Sequence, residues 1–356
     1  MRRRSWTSSG SRKQASEDDE AVTLRVGIIG AGQAGERHAA GFAACDGAEL
    51  VGIADNVEDR AVALAHRFEA EAYVDWQEML DDDLDILVVS LPHNLHVAPT
   101  EAAAERGIHV LMEKPIATTL EDAERIVQVC AEAKVKLTVS FVHRFREELQ
   151  VAQRWLEEGQ LGTPQVIRET MGGQRGDHLP RWVTQKDIAG GGVLMYSAIH
   201  GLDRLRWLVG SEVVKVTAEA RTYSPDTEVE DGVAALLIFA NGATATLTTN
   251  APVYRAQPAH WDTELYGDEG MLRIRTRQFA ELSNDRIMKH VATAHLSEEL
   301  GPHYNFARQA QAFVDVIREA KEPFITGEDG VKALELALAI YRSAETGETV
   351  ELEHNA

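Results

Sequence analysis

The sequence predicts an α/β protein in two parts: an N-terminal doubly wound parallel sheet, then an α+β domain on a mostly antiparallel sheet. Three observations predict it. A glycine-rich turn joins an apolar strand to a helix within residues 26–45. Strands and helices then alternate as far as Phe141. Beyond Phe141 the pattern changes to strands separated by hairpin turns.

The glycine-rich turn is Gly30-Ala31-Gly32-Gln33-Ala34-Gly35, a G-x-G-x-x-G directly after the strand of Val26 to Ile29. Gly30 permits the tight turn, Gly32 lets backbone approach a pyrophosphate, and Gly35 allows close helix–strand packing. Gln33 and Ala34 open the helix, whose N–H groups and dipole suit the phosphates. A second apolar strand, 50–54, ends in Asp55, at about the ~20-residue offset expected of a ribose-binding acid. That carboxylate would accept from both ribose hydroxyls and repel a 2′-phosphate. NAD is therefore favoured, although Arg60 could swing in and admit NADP.

Strands are expected at 22–29, 50–54, 86–89, 109–112 and 137–141, with a weaker one near Tyr73. Helices are expected at 35–45, 58–68, 96–106 and 119–133, completing a dinucleotide-binding domain over residues 21–142. Pro92, His93, Asn94 and His96 follow the strand at 86–89 and so fall on the cofactor side of the sheet. Neither cysteines nor a carboxylate cluster accompany the two histidines, and no metal centre is expected. The strand at 109–112 ends in Glu113-Lys114-Pro115. Proline keeps Lys114 extended, at the strand end that faces the ligand crevice. A plain Lys114–Glu113 structural pair is the alternative reading.

The second domain, 143–356, should hold helices at 146–158, 193–209, 305–320 and 329–345. Its strands should lie at 213–221, 233–240, 243–249, 262–266 and 271–275. Asn241-Gly242 and Asp268-Glu269-Gly270 supply the hairpin chemistry. Gly190-Gly191-Gly192 precedes the helix of Tyr196, His200 and Asp203. Tyr196 and His200 are four apart and share a helical face. They could floor a polar pocket, or be two hydrogen-bonded residues of a buried helix. Arg144 and the Asp177 to Trp182 segment are further candidate substrate contacts, Trp182 offering a flat face to a sugar ring.

A net charge of −21 and a pI near 5.0 argue against nucleic acid or anionic membrane as partners. No apolar run approaches the ~20 residues of a membrane span. Cys45 and Cys130 are too few for a disulfide framework, so a reducing cytoplasm is expected. Residues 1–20 are Arg/Ser-rich, then acidic, and are expected to be a disordered tail. Arg2-Arg3-Arg4 lacks the apolar segment of an export signal.

The fingerprint with His38, Pro92 to His96, Gly107 to Pro115, the triple glycine with His200, and Pro323 to Gly330 together resemble the Gfo/Idh/MocA oxidoreductases. The resemblance covers nearly all of the chain after the tail. It implies an N-terminal Rossmann domain and a C-terminal domain whose open sheet often mediates homo-oligomers, here a dimer or tetramer. It also implies NAD or NADP chemistry that reversibly oxidises a ring hydroxyl of a sugar, glycoside or cyclitol. Lys114 and His200 would be the proton-transfer pair, and Pro92, Asn94, His96 and Glu113 would lie along the cofactor. The same fold family includes glycoside hydrolases that use transient NAD oxidation and elimination. A non-catalytic NAD-binding regulator is a third possibility. Two positions depart from the family pattern: Tyr196 replaces a common aspartate, and His93 a common asparagine. Tyr196 could donate to a sugar hydroxyl or replace the acid.

Overall fold

The computed structural model describes residues 23–173, 179–251 and 259–353. The tail expected over 1–20, and Asp177 and His178, lie outside them. The first half alternates as its sequence pattern requires. Its strands are β1 (Leu24–Ile29), β2 (Ala48–Ala54), β3 (Glu71–Tyr73), β4 (Ile86–Val89), β5 (His109–Met112) and β6 (Leu137–Val139). Between them run α1 (Gln33–Ala43), α2 (Glu58–Arg67), α3 (Trp76–Met79), α4 (Val97–Glu105) and α5 (Leu120–Ala133). The six strands are parallel in the order β3-β2-β1-β4-β5-β6. Strand order reverses between β1 and β4, and ligands bind at the carboxyl ends of such a switch point. All four residues of β4 are buried, as a strand covered on both faces demands.

Local chemistry sets the boundaries. The Thr119 hydroxyl caps α5 by accepting from the Asp122 N–H at 3.2 Å, and Lys134 ends the helix in left-handed geometry at φ 58°. Strand ends are tied across the sheet: Ser90 N–H donates to the Ile29 carbonyl at 2.8 Å and Glu113 N–H to that of Val89 at 2.9 Å. This ladder aligns Gly30, Ser90 and Glu113 along one crevice.

After α6 (Glu147–Glu157) and β7 (Pro164–Gly172) come α7 (Lys186–Ala189), a π-helical turn at Leu194–Ala198, and α8 (Ile199–Val209). Then follow β8 (Val213–Arg221), β9 (Gly232–Phe239), β10 (Thr244–Asn250), β11 (His260–Gly267), β12 (Gly270–Arg275), β13 (Phe279–Asn284) and β14 (Met288–Ala292). The chain closes with α9 (Leu296–Glu299), α10 (Tyr304–Arg318), α11 (Gly327–Thr346) and β15 (Val350–Glu351). The nine strands order as β14-β13-β12-β11-β7-β10-β9-β8-β15. Only β7 and β10 pair in parallel. Both expected hairpins form, β9–β10 and β11–β12.

The sequence reading contains no strand at 164–172, yet β7 is the sheet's central member. Its exposed Gln165, Val166 and Arg168 blur the alternation that marks a strand. One buried layer lies between this sheet and α8, where Arg204 pairs with Glu169 of β7, both fully buried. Thr263 Oγ1 donates to the same carboxylate at 2.7 Å. α10 returns to pack on α1, placing Ala310, Phe313 and Val314 in the core of β1 and β4.

Candidate active site

The cleft begins at the fingerprint. Gly30 has φ +97°, a region costly for side chains, and a methyl on Gly35 would overlap the Gly30 carbonyl oxygen. The space a Cβ would fill at Gly32 is open, and no side chain caps α1 there. Asp55 accepts from the Ala31 N–H through Oδ2 and from the Val57 N–H through Oδ1, both at 2.9 Å. Each oxygen keeps a lone pair for a further donor. An uncapped helix start, open space over Gly32 and a carboxylate at the next strand end fit a dinucleotide. Those residues, with Gln33 and Ala34, would hold it.

A cavity of about 450 Å³ opens beside this cleft, bordered by Gln33, Ala34, Glu113, Lys114, Tyr196 and His200. Lys114 Nζ donates to the Tyr196 backbone carbonyl at 2.8 Å and lies 4.9 Å from the Tyr196 ring centroid. That carbonyl belongs to the π turn, the kind of helix irregularity often found at functional sites. Burial lowers the Lys114 ammonium below the ordinary lysine range; the Glu113 charge opposes the shift and Arg37 adds to it. Glu113 itself hydrogen-bonds His38 at 2.8 Å, both buried. Burial pushes its carboxyl up, but the His38 hydrogen bond and the charges of His38 and Lys114 outweigh that, leaving it below the usual carboxylate range.

The His200 ring stacks on His143 at 4.2 Å and 8°, and Phe141 stands edge-on at 5.9 Å. Burial and the nearby Lys114 charge hold His200 well below the ordinary histidine range, so it is neutral near pH 7. Its Nδ1 is buried without a hydrogen-bond partner among the described residues. Burial also raises the Tyr196 phenol, which stays protonated as a donor. The triple glycine serves packing: the Glu230 carboxylate accepts from the N–H of Gly192 at 2.7 Å and of Leu194 at 3.0 Å. A methyl on Gly192 would overlap the Glu230 carbonyl.

Besides the fingerprint glycines and Asp55 of the cleft, four expected positions stand apart from the cavity. Arg144 donates through Nε to Asp203 at 3.0 Å and through Nη2 to Asp329 at 3.0 Å, between the rings of Trp207 and Phe324. Its guanidinium is spent in a buried ion pair, which corrects its expected role as a substrate contact. His96 is fully buried, its ring nitrogens at 3.1 and 3.0 Å from the carbonyls of Ile116 and Leu91. It braces the turn after β4 instead of bordering the cavity. Asn94 is exposed, with Nδ2 3.5 Å from the Asp187 carbonyl, and Pro92 heads a 3₁₀ turn; neither borders the cavity. His93 and Trp182 do, packed edge-on at 4.7 Å.

His143, Arg146, Trp261 and Arg277 border the cavity as well, and the sequence reading missed them. His143 and Arg146 are three apart at a 3₁₀ turn, Val142–Phe145, and so fall on one face. That spacing is a signal the sequence does carry. Trp261 and Arg277 come from β11 and the β12–β13 turn, and only the tertiary fold brings them here. No group of three or more His, Cys, Asp or Glu side chains that could hold a metal occurs among the described residues. Nor is any helix there long and apolar enough to cross a membrane.

Fold and cleft define an oxidoreductase with a nicotinamide-dinucleotide domain. The family model described as "Oxidoreductase family, NAD-binding Rossmann fold" matches residues 24–141, and "GFO/IDH/MocA C-terminal domain" matches 149–273. The chain belongs to the GFO/IDH/MocA oxidoreductase family. It is 30% identical over 332 residues to 1,5-anhydro-D-fructose reductase of Ensifer adhaerens, covering 92% of this chain and 98% of that protein. It is 29% identical over 349 residues to D-glucoside 3-dehydrogenase of Escherichia coli, covering 92% and 97%. Among solved structures, levoglucosan dehydrogenase in complex with NADH and L-sorbose superposes with a TM-score of 0.87 at 25% identity, covering 93% of this chain and 99% of that one.

Proposed function

We propose that the protein is an NAD-dependent dehydrogenase that reversibly oxidises a ring hydroxyl of a sugar, glycoside or cyclitol to a ketone. One observation carries the reading: Lys114, from the end of β5, and His200, from α8, border a single cavity beside the glycine fingerprint. The relatives named above, a reductase and dehydrogenases of sugars and glycosides, support the substrate class. Asp55 favours NAD, while a D-xylose 1-dehydrogenase (NADP(+)) of Haloferax volcanii, 27% identical, is a relative named for the other cofactor.

When bound, the nicotinamide supplies the two-electron oxidant. The residues manage the proton. As carbinol becomes carbonyl the hydroxyl proton must leave, and a neutral imidazole at His200 is in the state to accept it. Lys114 would hold the oxygen and stabilise its developing negative charge. The Glu113 carboxylate, hydrogen-bonded to His38 at 2.8 Å, supplies a negative charge that opposes the lowering of the Lys114 ammonium by burial. Tyr196 would donate its phenolic proton to a neighbouring sugar hydroxyl. The free thiols of Cys45 and Cys130 agree with a cytoplasmic setting. Exposed Val166 and Leu236 on the large sheet agree with a homo-oligomer.

The test is a panel of sugars, cyclitols and glycosides with NAD and with NADP, followed by nicotinamide absorbance. Net NADH formation with at least one ring polyol is expected. Glycoside cleavage with no net NADH would replace this reading by the hydrolase one.

A further inference from the structure

The wall of the cavity around His143 and Trp261 carries two guanidinium groups that the proton chemistry does not use. Arg146 is only 3% exposed, and its Nε and Nη1 are buried with no hydrogen-bond partner among the described residues. A buried guanidinium left unpaired is costly, so such a group calls for a partner. Arg277 lies 5.0 Å over the Trp261 ring and borders the same cavity. Its backbone sits at φ +67°, a region that favours glycine, so an arginine is kept there against its backbone preference.

The neighbouring acids are otherwise engaged. Glu148 accepts from the Arg277 backbone N–H at 2.7 Å and from the Thr293 hydroxyl at 3.0 Å. Glu113 holds His38, Glu230 holds the start of the π turn, and Asp231 holds the N–H groups of Tyr223 at 2.7 Å and Ser224 at 3.0 Å. Among the described residues neither Arg146 nor Arg277 forms an ion pair. Burial first lowers both below the ordinary arginine range, with Glu148 opposing; the Arg277 charge adds to the lowering of Arg146, and the Arg37 charge to that of Arg277. Arg37 borders the same cavity and adds a third positive charge, so this wall suits an anion.

We infer that the substrate is a sugar acid, and that Arg146 and Arg277 bind its carboxylate while His200 and Lys114 face the reacting hydroxyl. Guanidinium forks suit a planar carboxylate, and Trp261 backs the Arg277 plane. This inference rests on the dehydrogenase reading and narrows its substrate class.

The test uses the full chain and matched pairs: D-glucuronate with D-glucose, methyl glucuronide with methyl glucoside, and D-glucose 6-phosphate as the phosphate arm. kcat/KM should be higher for the carboxylate member by roughly thirtyfold or more, the lower end of what a desolvated charge pair supplies. Arg146→Met should lower the carboxylate member by roughly thirtyfold more than the neutral one. Arg277→Gly should act in the same direction while relaxing the left-handed backbone, so it separates recognition from folding. Calorimetric binding of D-glucuronate to the NAD-loaded protein is the second readout. Equal turnover of both members, or preference for the phosphate, overturns the inference and leaves the dehydrogenase standing. Glucuronate binding that depends on Arg146, without NADH formation, keeps the inference and removes the dehydrogenase. Neither binding nor turnover removes both.

Discussion

His93 offers a prediction whose size follows from the structure. The ring is 3% exposed, and its Nδ1 lies 2.8 Å from the Ala189 carbonyl, to which it donates. Burial, then the Lys114 charge, pushes its pKa from 6.5 down to about 3. Below about pH 6.5 the unfolded chain takes up a proton on this ring that the folded chain refuses until about pH 3. Stability is therefore lost as pH falls through that window. Each pH unit well inside the window is worth about 1.4 kcal/mol, so lowering pH from 7.5 to 4.5 removes roughly 3 kcal/mol through this residue alone. At about 2.1 cal/mol/K per residue the chain has an unfolding entropy of about 0.75 kcal/mol/K, which converts the loss to about 3–4 °C. His93→Asn keeps an N–H donor and abolishes the titration. Scanning calorimetry at pH 7.5 and 4.5 should show the wild type losing about 3–4 °C more than the variant. Acid losses from His96, His143 and His200 are common to both proteins and cancel. Parallel losses in the two would refute the neutral, buried His93.

Lys114→Met should lower turnover by about 10²–10⁴ while NAD still binds, checked by steady-state kinetics and cofactor fluorescence. Near-normal turnover would remove the lysine from the chemistry. Because burial lowers the Lys114 pKa, the activity limb that reports its deprotonation should lie below that of an ordinary lysine. Asp55→Ala should weaken NAD and narrow its advantage over NADP in titrations, and an unchanged preference would contradict the ribose assignment. Asp203→Asn strips one partner from buried Arg144 and should cost about 3–5 kcal/mol in denaturant unfolding with KM unchanged. A raised KM at unchanged stability would return Arg144 to the substrate.

Much of the nucleotide half was legible because its signals are local. A strand, a glycine turn and a helix are contiguous, and continuous apolar runs such as 86–89 announce strands buried on both faces. Lys114 and His200 were legible for a related reason, since each sits at a landmark, a strand end before proline and a helix after glycines. The large sheet was less legible. β7 shows weak alternation, and β13, β14 and β15 are short or half-exposed strands that patterning reads poorly. The sequence carries the three-residue spacing of His143 and Arg146 but does not say which way the 3₁₀ turn aims, so it does not tell Arg144, held in an ion pair, from Arg146 at the cavity. The Tyr196 contact was hidden too: Lys114 uses that residue's backbone carbonyl, which any side chain would leave in place.

The return of α10 to α1 bears on how the chain is made. Ala310, Phe313 and Val314 share one core with Val26, Ile28 and Phe42, and Asp46 N–H donates at 2.8 Å to Gln311 Oε1, 265 positions away. At about 5–20 residues per second, a ribosome needs about 13–53 s to deliver that helix after α1 emerges. Until then the nucleotide half displays an apolar face with nothing to cover it, open to chaperones or to misassociation. A fragment ending at Phe141 would carry the whole fingerprint and still lack part of its own core.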